Sequence, residues 1–198
     1  QEGEVIRQIN PDTTYVSTYA GLFGNGGYVD GIGASVRVYR PRSIRALADG
    51  VTAVFADDAN NCIRKINLLN SEFTAWMGNC GGAPGMVEGY GTTSRFNRPY
   101  FLDLSESKDE MYVCDHENQR HRKITGVTAA GGTASTAFGT GTDGTGLDQT
   151  NWPMAVRVRG ANSALYWSDA TNPKIRYTLI ADAGSTSYVF VGSGALGE

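Results

Sequence analysis

Three stretches decide the fold: VFADDANNCIRKI at 54–66, YVCDHENQRHRKI at 112–124 and YWSDATNPKIRY at 166–177. Setting IRKI on HRKI and IRY aligns Asp57 with Asp115 and Asp169, and Asn60 with Asn118 and Asn172. Each stretch is an apolar run, a polar turn and a second apolar run, rich in β-branched and aromatic residues. That is the pattern of two strands joined by a tight turn. The chain also begins inside the pattern, at Val5-Ile6-Arg7-Gln8-Ile9. A unit that recurs three times, and once more as a half, marks a repeat architecture.

Outward from these stretches the rest of the unit repeats as well. Each full unit opens on a glycine after a strand (Gly21, Gly78, Gly139). A loop follows with an acidic-Gly pair (Asp30-Gly31, Glu88-Gly89, Asp143-Gly144), then a proline (Pro41, Pro99, Pro153). Four strands per unit are predicted: 43–47, 51–56, 62–67 and 72–78; then 100–104, 110–114, 120–125 and 133–139; then 154–158, 164–168, 174–179 and 187–192. No stretch has a strong 3.6-residue period, so negligible helix is expected.

One four-stranded sheet cannot bury both of its faces, whereas sheets stacked around an axis can. The expected fold is all-β: a β-propeller of four-stranded antiparallel blades, about three and a half of them, with the ring incomplete in this chain. The expected organisation is a single partial propeller over 1–198, with a half blade 1–21, blades at about 22–78, 79–139 and 140–192, and a tail 193–198. An open arc would leave apolar blade faces wet. The remaining blades are therefore expected in a longer protein, or from another copy or partner. The chain starts with Gln and not Met, which fits a processed product or a piece of something longer.

The unit EGYGTTSRFNRPYFLDLSESKDEMYVCDHENQRHRKI at 88–124 resembles the NHL repeat. The resemblance rests on Glu88-Gly89, Arg95-Phe96-Asn97-Arg98-Pro99, Tyr112-Val113, Asp115, Asn118 and Arg122-Lys123-Ile124. The first unit keeps Asp30-Gly31, Pro41, Asp57, Asn60 and Ile63-Arg64-Lys65-Ile66. The third departs: Trp152-Pro153 and LYWSDATNPKIRY resemble the Tyr-Trp-Thr-Asp repeat of lipoprotein-receptor propellers. Both families imply a propeller. What they imply for function diverges: non-enzymatic protein or glycan binding, a lyase or hydrolase with an axial metal site drawn from several blades, or RNA binding on a basic face.

Composition and motifs weigh these. Net charge is -3, with 20 acidic against 17 basic residues, which gives no global pull toward nucleic acid or an anionic membrane. Arg7, Arg64, Lys65, Arg122, Lys123 and Arg176 recur on the third strands, with Arg120 and His121 beside them. They read either as a phosphate-tracking ring or as solvated strand positions with carboxylate partners, and no aromatic stacking platform accompanies them. Nucleic acid is not the expected partner. No run is long and apolar enough for a membrane-spanning helix.

No metal-binding, phosphate-loop or nucleophile-elbow motif is present, and no catalytic, metal or cofactor-binding residue is assigned. His116 and His121 are the only histidines; His116 reads as a surface turn residue, since Asp58 and Ala170 hold its place elsewhere. Asp57, Asp115 and Asp169 are read as scaffold carboxylates that accept backbone hydrogen bonds at their turns, with Asn60, Asn118 and Asn172 acting from the other side. A hairpin turning near 68–71 would bring Cys62 and Cys80 together, making them the candidate disulfide; Cys114 reads as a small core residue, although an odd cysteine could also pair outside this sequence. Tyr28, Tyr39, Tyr90, Tyr100 and Trp152, in or beside the long loops, read as packing anchors or as binding residues. The expected function is a non-enzymatic binding or structural module of a larger protein, in an extracellular or secretory setting. Its partner is expected to be a protein, with a glycan as the other candidate.

Overall fold

A computed structural model describes residues 4–142, 149–159, 164–171, 174–180 and 187–191. Two strands, β1 (Val5–Ile9) and β2 (Val16–Gly21), form an antiparallel pair. The first full sheet holds β3 (Gly31–Ile32), β4 (Pro41–Ala46), β5 (Thr52–Asp57), β6 (Cys62–Asn67) and β7 (Glu72–Met77), in the order β3-β7-β6-β5-β4. The second holds β8 (Gly89–Tyr90), β9 (Pro99–Leu104), β10 (Glu110–Asp115), β11 (Arg120–Thr128) and β12 (Gly131–Phe138), in the same relative order. The third runs β13 (Pro153–Arg159), β14 (Ala164–Asp169), β15 (Ile175–Leu179) and β16 (Tyr188–Val191). All pairings are antiparallel, as in propeller-like blades, and the series does not close into a ring.

The predicted strands fall within a few residues of these bounds. The short strands β3 and β8 were not foreseen. In each, the glycine of the acidic-Gly pair sits at φ 142° or 145°, and the chain then pairs with the last strand of its own sheet. Four three-residue 3-10 turns lie among the described residues.

The glycine that opens each unit has a shared physical cause. Gly21, Gly78 and Gly139 sit at φ 95°, 87° and 101°. A Cβ there would lie 2.3, 3.2 or 2.6 Å from the carbonyl oxygens of Glu4, Asn61 and Gln119. Only glycine takes both the dihedral and the close approach without strain.

Sheets pack face to face through three apolar seams. The N-terminal pair meets the first full sheet through Ile6, Tyr19, Ala20, Val38, Phe55 and Phe73. The first and second sheets meet through Ala56, Ile63, Trp76, Phe96, Leu102 and Val113 among others. The second and third meet through Tyr112, Cys114, Phe138, Val156 and Trp167. Strands β4, β9 and β13 touch in succession and make the inner wall. Cys62 and Cys80 are disulfide-bonded, and Cys114 is a buried free thiol, both as expected. Among the described residues, no helix is long and apolar enough to cross a membrane.

Candidate functional site: the turn-bearing rim

The repeated aspartates build one end of the sheets. Asp57 pairs across the ladder with Pro41, Asp115 with Pro99 and Asp169 with Pro153, so the turns after them and the segments before the prolines share one rim. Asp57 Oδ1 accepts the Tyr39 N–H at 2.7 Å, and Asp115 Oδ1 accepts the Asn97 N–H at 2.8 Å. Their other oxygens take Asn60 and Arg64, or Asn118 and Arg122. This corrects the expectation of local turn capping: the carboxylate ties down the loop that lies 18 residues upstream. The scaffold role itself fits. Asn172 lies outside the described residues.

The arginines complete the lock. Arg64 donates to the Arg37 and Val29 carbonyls, and Arg122 to those of Arg95 and Val87. Arg64, Arg122 and Arg176 are buried. For these three the expectation of solvated positions fails, whereas Arg7 is exposed and Lys65 and Lys123 are half-buried; the expected carboxylate partners are there for Arg64, Arg122 and Lys123. A guanidinium five donors wide can satisfy a carboxylate and several loop carbonyls at once, which is why it is tolerated inside. Burial pushes Asp57 and Asp115 up to about 6, against the pull of the asparagine, the backbone N–H and the arginine. Both remain carboxylates at neutral pH. Asp169 is likewise pushed up to about 6 by burial.

A second layer links neighbouring sheets at this rim and was not read from the sequence. Asp58, fully buried, accepts from Arg42 Nε at 3.1 Å and from Arg98 Nε at 2.8 Å and Nη2 at 3.2 Å. Arg98 also reaches Glu117. Arg40, Arg98 and Trp152, each just before a proline, sit at φ 58°, 55° and 56°. A left-handed residue before proline is strained backbone. It is held by a latch: Arg98 N–H donates to Asn61 Oδ1, and Trp152 N–H to Gln119 Oε1, from the preceding sheet. The position is occupied by Asn61 and Gln119, different residue types, so identity matching passed over it.

His116 corrects another expectation. It is buried, at 4% exposure, because the neighbouring sheet covers its turn. Its ring stacks on Tyr100 with centroids 4.3 Å apart, meets Trp152 edge-on at 5.2 Å, and its Nδ1 lies 3.1 Å from the Pro153 carbonyl. Arg42 lies over the Tyr100 ring at 4.1 Å and donates to its hydroxyl. Burial lowers the His116 pKa, so the ring is neutral and its Nδ1 donates. Of the loop aromatics, Tyr100 and Trp152 are thus packing anchors in part, and Tyr28 packs under Arg64 at 5.1 Å. Tyr39, Trp152 and Met154 still present 37–38% of their surface at the rim, and Tyr90 is exposed on an outer edge.

Chemically the rim is a set of paired charges around Asp57, Asp58 and Asp115, with aromatic edges. Cys114 Sγ lies 3.7 Å from His121 Nδ1, but burial raises the thiol and lowers the imidazole to about 3. Both are neutral, so the pair is not an activated thiolate–imidazolium nucleophile. Among the described residues no three His, Cys, Asp or Glu side chains converge to hold a metal ion.

No family model and no curated protein matches the chain. Solved structures share its fold, and the neighbours include β-propeller proteins of the NHL and YWTD type. An auxiliary nutrient binding protein from Bacteroides thetaiotaomicron VPI-5482 matches with TM-score 0.64 at 15% identity, over 85% of this chain and 41% of that one. A chain of a nidogen/laminin complex matches with TM-score 0.56 at 14% identity, over 91% and 53%. Virginiamycin B lyase from Staphylococcus aureus matches with TM-score 0.53 at 17% identity, over 97% and 65%. The chain thus spans less than two thirds of the length of each.

Proposed function

We propose that the chain is part of an NHL-like β-propeller, about three and a half blades of it, that serves as a non-enzymatic binding and assembly module of a larger protein. The observation that carries this is the division of labour at the rim. Its buried charges hold loops and neighbouring sheets, while Tyr39, Trp152, Met154 and Arg42 offer an exposed aromatic and cationic border. Such borders on a rigid scaffold suit contact with a protein partner. The nutrient binding protein and the nidogen/laminin complex support a binding role by their names. The Cys62–Cys80 disulfide supports an oxidising, extracellular or secretory setting.

The test is intact and native mass of the protein from its natural source. A chain longer than 198 residues, or a stable complex, is expected. A free monomer of this length overturns the reading. In the longer protein, Tyr39→Ala with Trp152→Ala is expected to weaken partner binding at least tenfold, measured at a temperature where the variant, destabilised by the loss of the Trp152–His116 contact, is still folded.

One observation favours a second reading, a propeller enzyme whose axial site includes residues of other blades. His116 is fixed at the rim by its stack on Tyr100 and by its Nδ1 on the Pro153 carbonyl, which settles one ring nitrogen and leaves Nε2 for other work. Under that reading His116→Ala abolishes turnover in the complete protein; under the first it changes only stability.

A further inference from the structure

The N-terminal pair is half of a unit that is whole elsewhere. Strand β1 takes the place of β6, β11 and β15. The ladder is broken at the same point in each, between Ile6 and Arg7, Ile63 and Arg64, His121 and Arg122, and Ile175 and Arg176. The pair already docks on the first full sheet, through Ile6 and Tyr19 against Val38, Phe55 and Phe73. Yet β6 and β11 have strands on both edges, and β1 on one.

Three side chains register the difference. Arg7 is exposed, and among the described residues its one hydrogen bond goes to the Val16 carbonyl at 3.5 Å; Arg64 and Arg122 are fully buried on Asp57 and Asp115. Ile9 is 67% exposed, against 1% for Ile66 and 0% for Ile124. On the next sheet Ile44 is exposed, whereas its counterparts Leu102 and Val156 are buried under β5 and β10, the second strands of the sheets before them. One strand laid along the free edge of β1, on the side away from β2, would cover all three.

Resting on the reading of the chain as part of a larger propeller, we propose that β1 is a docking edge for a two-stranded hairpin of this same repeat. The second strand of that hairpin reads apolar-x-apolar-x-Asp, with its aspartate opposite Val5 and closed on Arg7. The register follows from the whole units. Asp57 lies opposite Cys62 and Asp115 opposite Arg120, each two residues before the arginine that it binds, and Val5 stands two before Arg7. Phe55 and Val113 face those arginines, which sets an apolar residue opposite Arg7. Covering Arg7 without a carboxylate would strand a guanidinium, so the aspartate is the recognition element. A second copy of this chain is not the occupant. Its aspartate strands β5, β10 and β14 already have neighbours on both edges, and donating one would open a sheet.

The probe is the chain's own hairpin, residues 41–61, which contains β4, β5 and the turn that leads into Cys62, the counterpart of Val5. It is fused ahead of Val5 in place of residues 1–4, and separately added in trans as a labelled peptide. The fusion is expected to raise Tm by roughly 5 °C or more and to reduce dye binding to exposed apolar surface. The trans peptide is expected to give saturable anisotropy. Arg7→Ala, or Asp57→Ala in the appended copy alone, should remove most of the gain, while Arg7→Ala in the unfused chain leaves Tm nearly unchanged. No gain, or a gain that survives both substitutions, overturns the proposal. So does self-association of the unfused chain that Arg7→Ala dissolves, which would make a second copy the occupant. A silent fusion alongside a longer natural chain removes the docking edge and leaves the reading under Proposed function standing; a free 198-residue monomer in the natural source fells that reading instead.

Discussion

The seam between the first and second full sheets and the seam between the second and third are built at the same repeat positions with different chemistry. Where the first has Ala56, Ile63, Phe96 and Val113, the second has Cys114, His121, Thr150 and Trp167, all buried. The first is a dry hydrocarbon contact. In the second, His121 Nε2, Thr150 Oγ1 and Trp167 Nε1 are buried without a hydrogen bond among the described residues, and the buried Asp169 carboxylate has the Asn151 N–H and the charge of Arg176 toward it. Burying polar groups without protein partners costs stability that methyl and phenyl groups in the same place would add. The repeat thus fixes where a seam forms, and the residues placed in it set how firmly it holds.

The comparison can be broken hardest at the locks. Asp115→Ala leaves Arg122 buried beside the seam without its carboxylate, and should cost about 3–5 kcal/mol in denaturant unfolding. Asp169→Ala should cost less, since its carboxylate has the Asn151 N–H and the nearby charge of Arg176 toward it, where Asp115 holds Arg122, Asn118 and the Asn97 N–H at 2.8–3.1 Å; equal losses would mean that the third sheet is locked as firmly as the second. Next comes Phe96→Ala, expected to lose about 3–5 kcal/mol by opening a cavity in the first seam. Thr150→Ala at the matching position should be within about 1 kcal/mol of neutral. Similar costs at the two positions would erase the distinction between the seams. Reducing Cys62–Cys80, which staples only the first full sheet, should cost about 3 kcal/mol from the loop it closes.

Acid acts on the buried groups with opposite signs. His121 has its folded pKa lowered to about 3, below the ordinary 6.5. The unfolded chain therefore takes the proton first, and stability falls as pH drops from 6.5 toward 3, by about 1.4 kcal/mol per pH unit from this group. Asp57, Asp115 and Asp169, raised to about 6, act oppositely: their contribution is full below 3.8 and is lost as pH rises through 6. His121→Ile, which installs the first seam's residue, should therefore stabilise the protein more at pH 4.5 than at pH 7.5. A difference independent of pH would place the imidazole in contact with solvent. The smallest expected effect is Cys114→Ala, the residue of the first seam, at under about 1 kcal/mol by thermal melting.

Much of the architecture was legible. Alternation and turn residues placed the four-strand units, the glycines marked joints that φ and a close carbonyl demand, and the spacing around 68–71 foretold the disulfide. The scaffold role of Asp57 and Asp115 was legible because repetition argues for structure. The rim was far less so. Asp58, Arg98 and the Asn61 and Gln119 latches act between sheets, at positions where the units differ, so aligning the units hid them. His116 looked solvent-facing because a turn is exposed until a neighbour covers it.

The sequence by itself determined the strands, their order and the repeat, because side-chain alternation and turn chemistry are local and act within a few residues. Tertiary structure alone decided that the recurring arginines lie inside, that His116 is covered and that one seam is polar. Burial belongs to the space between sheets, where residues from different units meet and no single unit carries the answer.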